Sequence, residues 1–195
     1  MKLKNKHIAI ILSSIFLFTS CEDYLDIVPD GTQELSLLFN RKETAYNALA
    51  NSYSYLPQSD GTYASYVLAS DEVAVPMSKE PNSIKMMKGQ QSISSPLMGY
   101  WSGFYANGRG QGSLWEGIRS CNTLIDNIDL VVDMTQEEKN QWKAEASFLK
   151  AYYHFLLVSN YGPIPIVDVN LPISASDEEV RLDRKLVDEC FTYIV

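Results

Sequence analysis

Apolar side chains recur every three or four residues in four stretches of the chain, the spacing of one face of an α-helix. The first stretch runs from Asn40 through Ala45, Tyr46, Leu49, Tyr53 and Leu56. Asn40 is placed to cap it, and Glu43 to complete a capping box. Pro57 cannot continue a helix and closes the stretch. The second opens at Ser113, with Glu116 in the boxed position. It sets Leu114, Ile118, Cys121, Ile125 and Ile128 on one face, widened by Trp115 and Leu124. The third opens at Thr135, with Glu138 boxed, and runs to about Asn160. Trp142, Ala146, Leu149, Tyr153 and Leu156 form one stripe; Phe148, Ala151, Tyr152, Phe155 and Val158 form a second. A helix apolar on both sides is expected to lie buried between neighbours. Gly162 supplies a positive-φ stop and Pro163 forbids continuation. An extended piece, Ile164 to Val169, follows, and a fourth helix is expected from Arg181 to Val195. The apolar face of that last helix has no later partner, so an incomplete helical domain is expected.

The pattern lapses over residues 58–112. Pro76, Pro81, Pro96, Gly99, Gly103, Gly108, Gly110 and Gly112 punctuate that stretch. Its aromatics, Tyr63, Tyr66, Tyr100, Trp101, Phe104 and Tyr105, are too many for a segment meant to stay solvated. It is read as a long loop-rich insertion. The fold class that follows is mainly α, with helices paired into hairpins around the insertion. Stacked helix-turn-helix repeats and an irregular α bundle both fit this pattern.

The first twenty residues follow a different logic. Lys2, Lys4 and Lys6 precede an 11-residue stretch, Ile8 to Phe18, that is apolar apart from two serines; Thr19, Ser20 and Cys21 come next. Basic, apolar and small residues in that order form a secretory signal. The stretch is too short for a membrane span, which needs about 20 residues. Cys21 after Thr19-Ser20 resembles the lipobox of bacterial lipoproteins, with Phe18 where the usual leucine stands. The resemblance implies lipidation of Cys21 after removal of residues 1–20, and residues 21–39 then read as a tether and entry segment. Loss of the three lysines takes the net charge from −8 to −11. A surface that acidic repels nucleic acid, which is excluded as a partner.

Catalytic constellations are missing. The mature part carries one histidine, His154, inside the most apolar helix, where a core role is expected. One histidine cannot build a usual zinc site, and no nucleophile elbow or phosphate loop is present. No metal and no cofactor is expected. Asp126, Asp129 and Asp133 do not match a calcium loop and read as a solvated face. Cys121 and Cys190 fall on apolar stripes and are expected to be free and buried.

One longer segment is more specific. Ala144-Glu145-Ala146-Ser147-Phe148-Leu149-Lys150-Ala151-Tyr152-Tyr153-His154-Phe155-Leu156-Leu157, followed by Asn160-Tyr161-Gly162-Pro163-Ile164-Pro165, resembles the signature of the SusD/RagB family. Trp115 with Cys121-Asn122-Leu124-Ile125 is similar to the preceding family helix. Cys21, then Tyr24-Leu25-Asp26 and Pro29, is similar to the family's mature start; Leu38-Phe39-Asn40, Ala48 and Ser70-Asp71-Glu72 also fit, in the family's order. The resemblance implies tetratricopeptide-like helix pairs in a SusD-like fold, truncated here, with residues 40–195 as its N-terminal part. It also implies a binding protein, not an enzyme, anchored in the outer membrane and facing outward. Its implied partners are a SusC-like TonB-dependent transporter and an oligosaccharide or peptide ligand. A helical-repeat scaffold that binds other envelope proteins is the alternative.

Sugars are held by aromatic faces against their C–H patches and by polar groups on their hydroxyls. Tyr100, Trp101, Tyr105, Asn107 and Arg109 offer both on one glycine-rich loop. The same aromatics could instead anchor the loop to the helices. The lipobox reading is directly testable: Cys21→Ala should abolish palmitate labelling and outer-membrane partitioning, and a variant that keeps both refutes it.

Overall fold

The computed structural model describes residues 37–57, 82–92, 94–103 and 112–195. Their helices are α1 (Lys42–Ser54), α2 (Asn82–Met87), α3 (Leu114–Asn127), α4 (Gln136–Tyr161), α5 (Asp177–Val180) and α6 (Val187–Ile194), with a 3-10 turn at Ile128–Leu130 after α3. No strand occurs among the described residues. The signal segment, Cys21 and the tether up to residue 36 lie outside them, as does much of the insertion. Residues 38–195 belong to one compact unit.

α3 and α4 form the central hairpin, and α1 packs on both. Leu114, Ile118, Cys121 and Leu124 of α3 are buried against Ala146, Leu149, Tyr153 and Leu157 of α4. Ala45 and Leu49 of α1 complete the core, joined by Phe39 at the end of the entry segment. Each fully buried Leu or Ile side chain contributes about 1.5–3 kcal/mol, more than any surface ion pair in the molecule. Among the described residues Cys121 and Cys190 are free buried thiols, and burial pushes Cys121 up to a pKa of about 11.

The helix starts show which caps are local. Thr135 and Glu138 form the full capping box expected for α4: Glu138 N–H donates to Thr135 Oγ1 at 3.3 Å and Thr135 N–H to Glu138 Oε2 at 2.9 Å. At α3 half of the expected box is present, Glu116 N–H donating to Ser113 Oγ. At α1 the expectation fails. Arg41, not Asn40, is the N-cap residue, and its side chain does not cap. Instead Asp133, from the α3–α4 link, accepts the Lys42 backbone N–H at 2.6 Å, and Glu138 pairs with the Lys42 ammonium. A carboxylate brought by tertiary packing to the positive end of α1 replaces the local cap. Asp129 pairs with Lys143 in the same corner, so these acids have structural partners.

Two further expectations are corrected. α4 is not buried on both sides. Its first stripe enters the core, but Phe148 is 70 %, Tyr152 38 % and Phe155 40 % exposed, and with Phe191 of α6 they form an exposed aromatic ladder. The fourth helix does not begin at Arg181. Residues 181–186 are non-helical, and helix resumes only at Val187. That run is pulled straight by the chain returning beside it: Lys185 N–H donates to Ile164 O at 2.9 Å and Arg184 Nη1 to Pro163 O at 2.9 Å.

A polar network ties the 164–170 segment to α3, α4 and α6. Lys150 Nζ donates to both the carbonyl and the carboxylate of Asp168, and Tyr193 Oη donates to that carboxylate at 2.8 Å. Asn170 Nδ2 reaches Arg119 O and Thr123 Oγ1 on α3. His154 lies at the centre. Its Nδ1 faces Lys150 O at 2.8 Å and its Nε2 faces the Val167 N–H at 3.3 Å. A carbonyl requires a donor and an amide an acceptor, so the ring is the neutral Nδ1–H tautomer with both nitrogens engaged. The core role expected of His154 is what the structure shows.

Two measurements test this packing. An alanine methyl at Gly117 would meet Tyr55 Cβ at 2.9 Å and Tyr153 Cε2 at 3.0 Å. Helix propensity alone favours Gly117→Ala by up to ~1 kcal/mol, whereas the clash should cost about 1–3 kcal/mol. Urea denaturation should show net destabilisation; a more stable variant refutes the close approach. For His154, burial holds the pKa below its ordinary 6.5. The unfolded chain therefore takes up a proton near 6.5 while the folded chain does not. This contribution is fully present above 6.5 and is lost as pH falls through the folded value. The urea midpoint should drop between about pH 7.5 and about pH 5.5, and His154→Phe should lack that component.

Candidate functional site

The candidate site is built where the insertion meets the end of α4. Gly103 closes a turn by donating its N–H to Gly99 O at 2.8 Å, with φ of +64°. A Cβ there would meet the Ser113 nitrogen at 2.7 Å, so the turn sits tight against the start of α3. Tyr100 O accepts the Leu114 N–H at 2.9 Å and satisfies one of the orphan donors of α3. The turn is thereby bolted to a helix terminus, and Trp101 is carried at its tip.

Trp101 stands in an aromatic cage. Its ring meets Trp115 edge-on at 5.1 Å and Tyr161 at 5.4 Å. The Trp101 backbone N–H donates to Tyr161 Oη at 3.3 Å, and that hydroxyl donates to Met98 O at 3.4 Å. Burial raises the Tyr161 pKa, which keeps its hydroxyl proton in place to donate. The guanidinium carbon of Arg184 lies 4.8 Å from the centroid of the Trp101 ring. Such cation–π contacts contribute about 0.5–1 kcal/mol at exposed sites.

Beside this cage opens a groove of about 420 Å³, lined by Gln91, Ser92, Pro96, Met98, Trp101, Ser102, Tyr161 and Arg184. That volume lies within the roughly 300–1,000 Å³ of small-molecule sites. Pro96, Met98 and the aromatic rings supply apolar walls; Gln91, the serines and Arg184 supply hydrogen-bonding groups. Gln91 Oε1 is buried without a donor among the described residues.

Of the residues singled out from the sequence, Trp101 lines the groove. Tyr100 packs against the core beside it, a loop-anchoring position. Tyr105, Asn107, Arg109 and Cys21 lie outside the described residues. The sequence reading missed Tyr161 and Arg184. Tyr161 carried a signal as the aromatic directly before the Gly162-Pro163 stop. Arg184 carried none, because it falls in a run whose periodicity reads as helix. Among the described residues no three His, Cys, Asp or Glu side chains cluster as a metal site, and no helix is long and apolar enough to cross a membrane.

Comparison with known proteins places this architecture. A family model described as SusD-like, starch-binding and associating with the outer membrane, matches residues 23–195. No curated protein matches the sequence. Among solved structures, the chain is similar to a laminarin-binding SusD-like protein, with a TM-score of 0.61 at 19 % identity, over 80 % of this chain and 32 % of that one. It is also similar to a SusD-like protein from Bacteroides fragilis NCTC 9343, with a TM-score of 0.57 at 19 % identity, over 80 % of this chain and 28 % of that one. The chain thus spans about a third of the length of these structures. With its helices paired as in those folds and the family model matched from residue 23 to the last residue, the chain belongs to the SusD-like family.

Proposed function

We propose that the chain captures oligosaccharides at the groove beside Trp101, without catalysis, and passes them to a SusC-like TonB-dependent transporter. In this proposal a lipid on Cys21 holds it at the outer membrane, facing outward. The observation that supports it most is the groove itself: aromatic and apolar walls with a few convergent polar groups, in a chain of a starch-binding family. The laminarin-binding protein of similar fold supports a glycan ligand over a peptide. Tyr105, Asn107 and Arg109 follow Trp101 closely in sequence and are proposed as further ligand contacts. The alternative, an envelope scaffold that binds proteins, is favoured by one feature, the exposed ladder of Phe148, Tyr152, Phe155 and Phe191.

Titration calorimetry with a panel of oligosaccharides tests the proposal. Trp101→Ala should weaken binding by about 1–3 kcal/mol if the indole contacts sugar, on the scale of other stacking contacts. Circular dichroism must show an intact helical fold in the variant. Unchanged affinity in that folded variant assigns Trp101 to packing and removes the groove as the site.

A further inference from the structure

We infer that the groove selects oligosaccharides bearing an anionic substituent, a uronate carboxylate or a sulfate ester, and that Arg184 is the residue that reads it. This rests on the proposal that the groove binds glycan. Among the described residues that line it, Arg184 is the only charged side chain, and no acid is present. That is unusual in a chain with 24 acidic against 16 basic residues. Elsewhere the lysines near the core are matched with acids: Lys42 with Glu138, Lys143 with Asp129, Lys150 with Asp168. Arg184 has no carboxylate partner among the described residues.

The guanidinium is also held in place. One Nη1–H donates to Pro163 O, and the group sits over the Trp101 ring. A guanidinium carries five N–H donors, and the others have no partner among the described residues. A cation fixed on an aromatic wall with free donors is prepared for a planar or tetrahedral oxyanion, because charge-assisted hydrogen bonds are roughly twice as strong as neutral ones. A neutral sugar that covered it would strip its water and accept its hydrogen bonds without supplying the opposite charge that offsets that desolvation. Gln91 and the two serines add only uncharged polar groups to the same groove.

The position of Arg184 makes its removal diagnostic. It occupies part of the Trp101 ring, so taking it away uncovers aromatic surface. Arg184→Gln should weaken an acidic ligand and leave a neutral one unchanged or tighter. The probes are trigalacturonate, its fully methyl-esterified form, a sulfated galactan trisaccharide and laminaritriose, titrated into the full chain at low and high sodium chloride. Trigalacturonate, the sulfated sugar or both should bind at least about tenfold tighter than the ester. That preference should fade with salt, vanish in Arg184→Gln and survive in part in Arg184→Lys. The two anionic sugars together identify which oxyanion is read. Equal affinity for acid and ester with no tighter sulfated sugar, or a preference that persists in Arg184→Gln, overturns the inference. In that event, laminaritriose binding that depends on Trp101 would leave the glycan-capture proposal standing. Failure of every sugar to bind the folded chain would overturn both.

Discussion

Three helices come together at one point where a side chain is missing. Gly117 on α3 leaves the space that Tyr55 and Tyr153 fill, and the Tyr153 hydroxyl, fully buried, donates to the carbonyl of Ser52 in the last turn of α1. The carbonyls of that turn have no partner within the helix. A buried acceptor left without a donor costs about 1–3 kcal/mol, while a made hydrogen bond contributes about 0.5–1.5 kcal/mol net. The constraint is therefore steric before it is energetic. The tyrosine must reach Ser52, and only a glycine on α3 lets it pass. Asp133 holds the other end of α1, so this helix is capped at both ends by residues far away in sequence.

The groove inherits its shape from that meeting point. Trp115, two residues before Gly117, faces both Trp101 and His154. Eight residues after Tyr153, α4 presents Tyr161 to the other side of Trp101. Gly162 then turns the chain with φ of +71°, and the returning segment is stitched down through His154, Lys150 and Asp168. The residues that follow run alongside it and deliver Arg184 to the indole. Lys150 and Asp168 form an ion pair with one partly exposed partner, and such pairs contribute at most about 1 kcal/mol. Their main effect is positional, since they hold the strap that carries the guanidinium.

α4 presents two different surfaces. One stripe closes the core with α1 and α3. The other is an aromatic ladder that α6 meets at Phe191. In stacked helix repeats each unit packs against its neighbours, and an exposed apolar face is what such packing uses. The chain spans about a third of the SusD-like structures it resembles. The groove and the ladder lie on different sets of residues, so the ligand capture proposed at the one would not compete with packing on the other.

Much of the helical plan was legible without coordinates. Periodicity placed α3 and α4 almost to the residue, the Thr135–Glu138 box formed as spaced, and Gly162 stopped α4 at the positive φ that only a residue without Cβ adopts freely. These are local matters, decided by neighbours within four residues. Trp101 was also legible as a candidate, since a tryptophan in a glycine-rich loop stands out against its surroundings. The cap of α1, the exposed second stripe of α4, the straight run before α6 and the place of Arg184 were not. Each depends on partners tens of residues distant: Asp133 for Lys42, Ile164 for Lys185, Trp101 for Arg184. Periodicity records which side chains are apolar, whereas only the packed helices decide which apolar face finds a neighbour and which cation finds a ring.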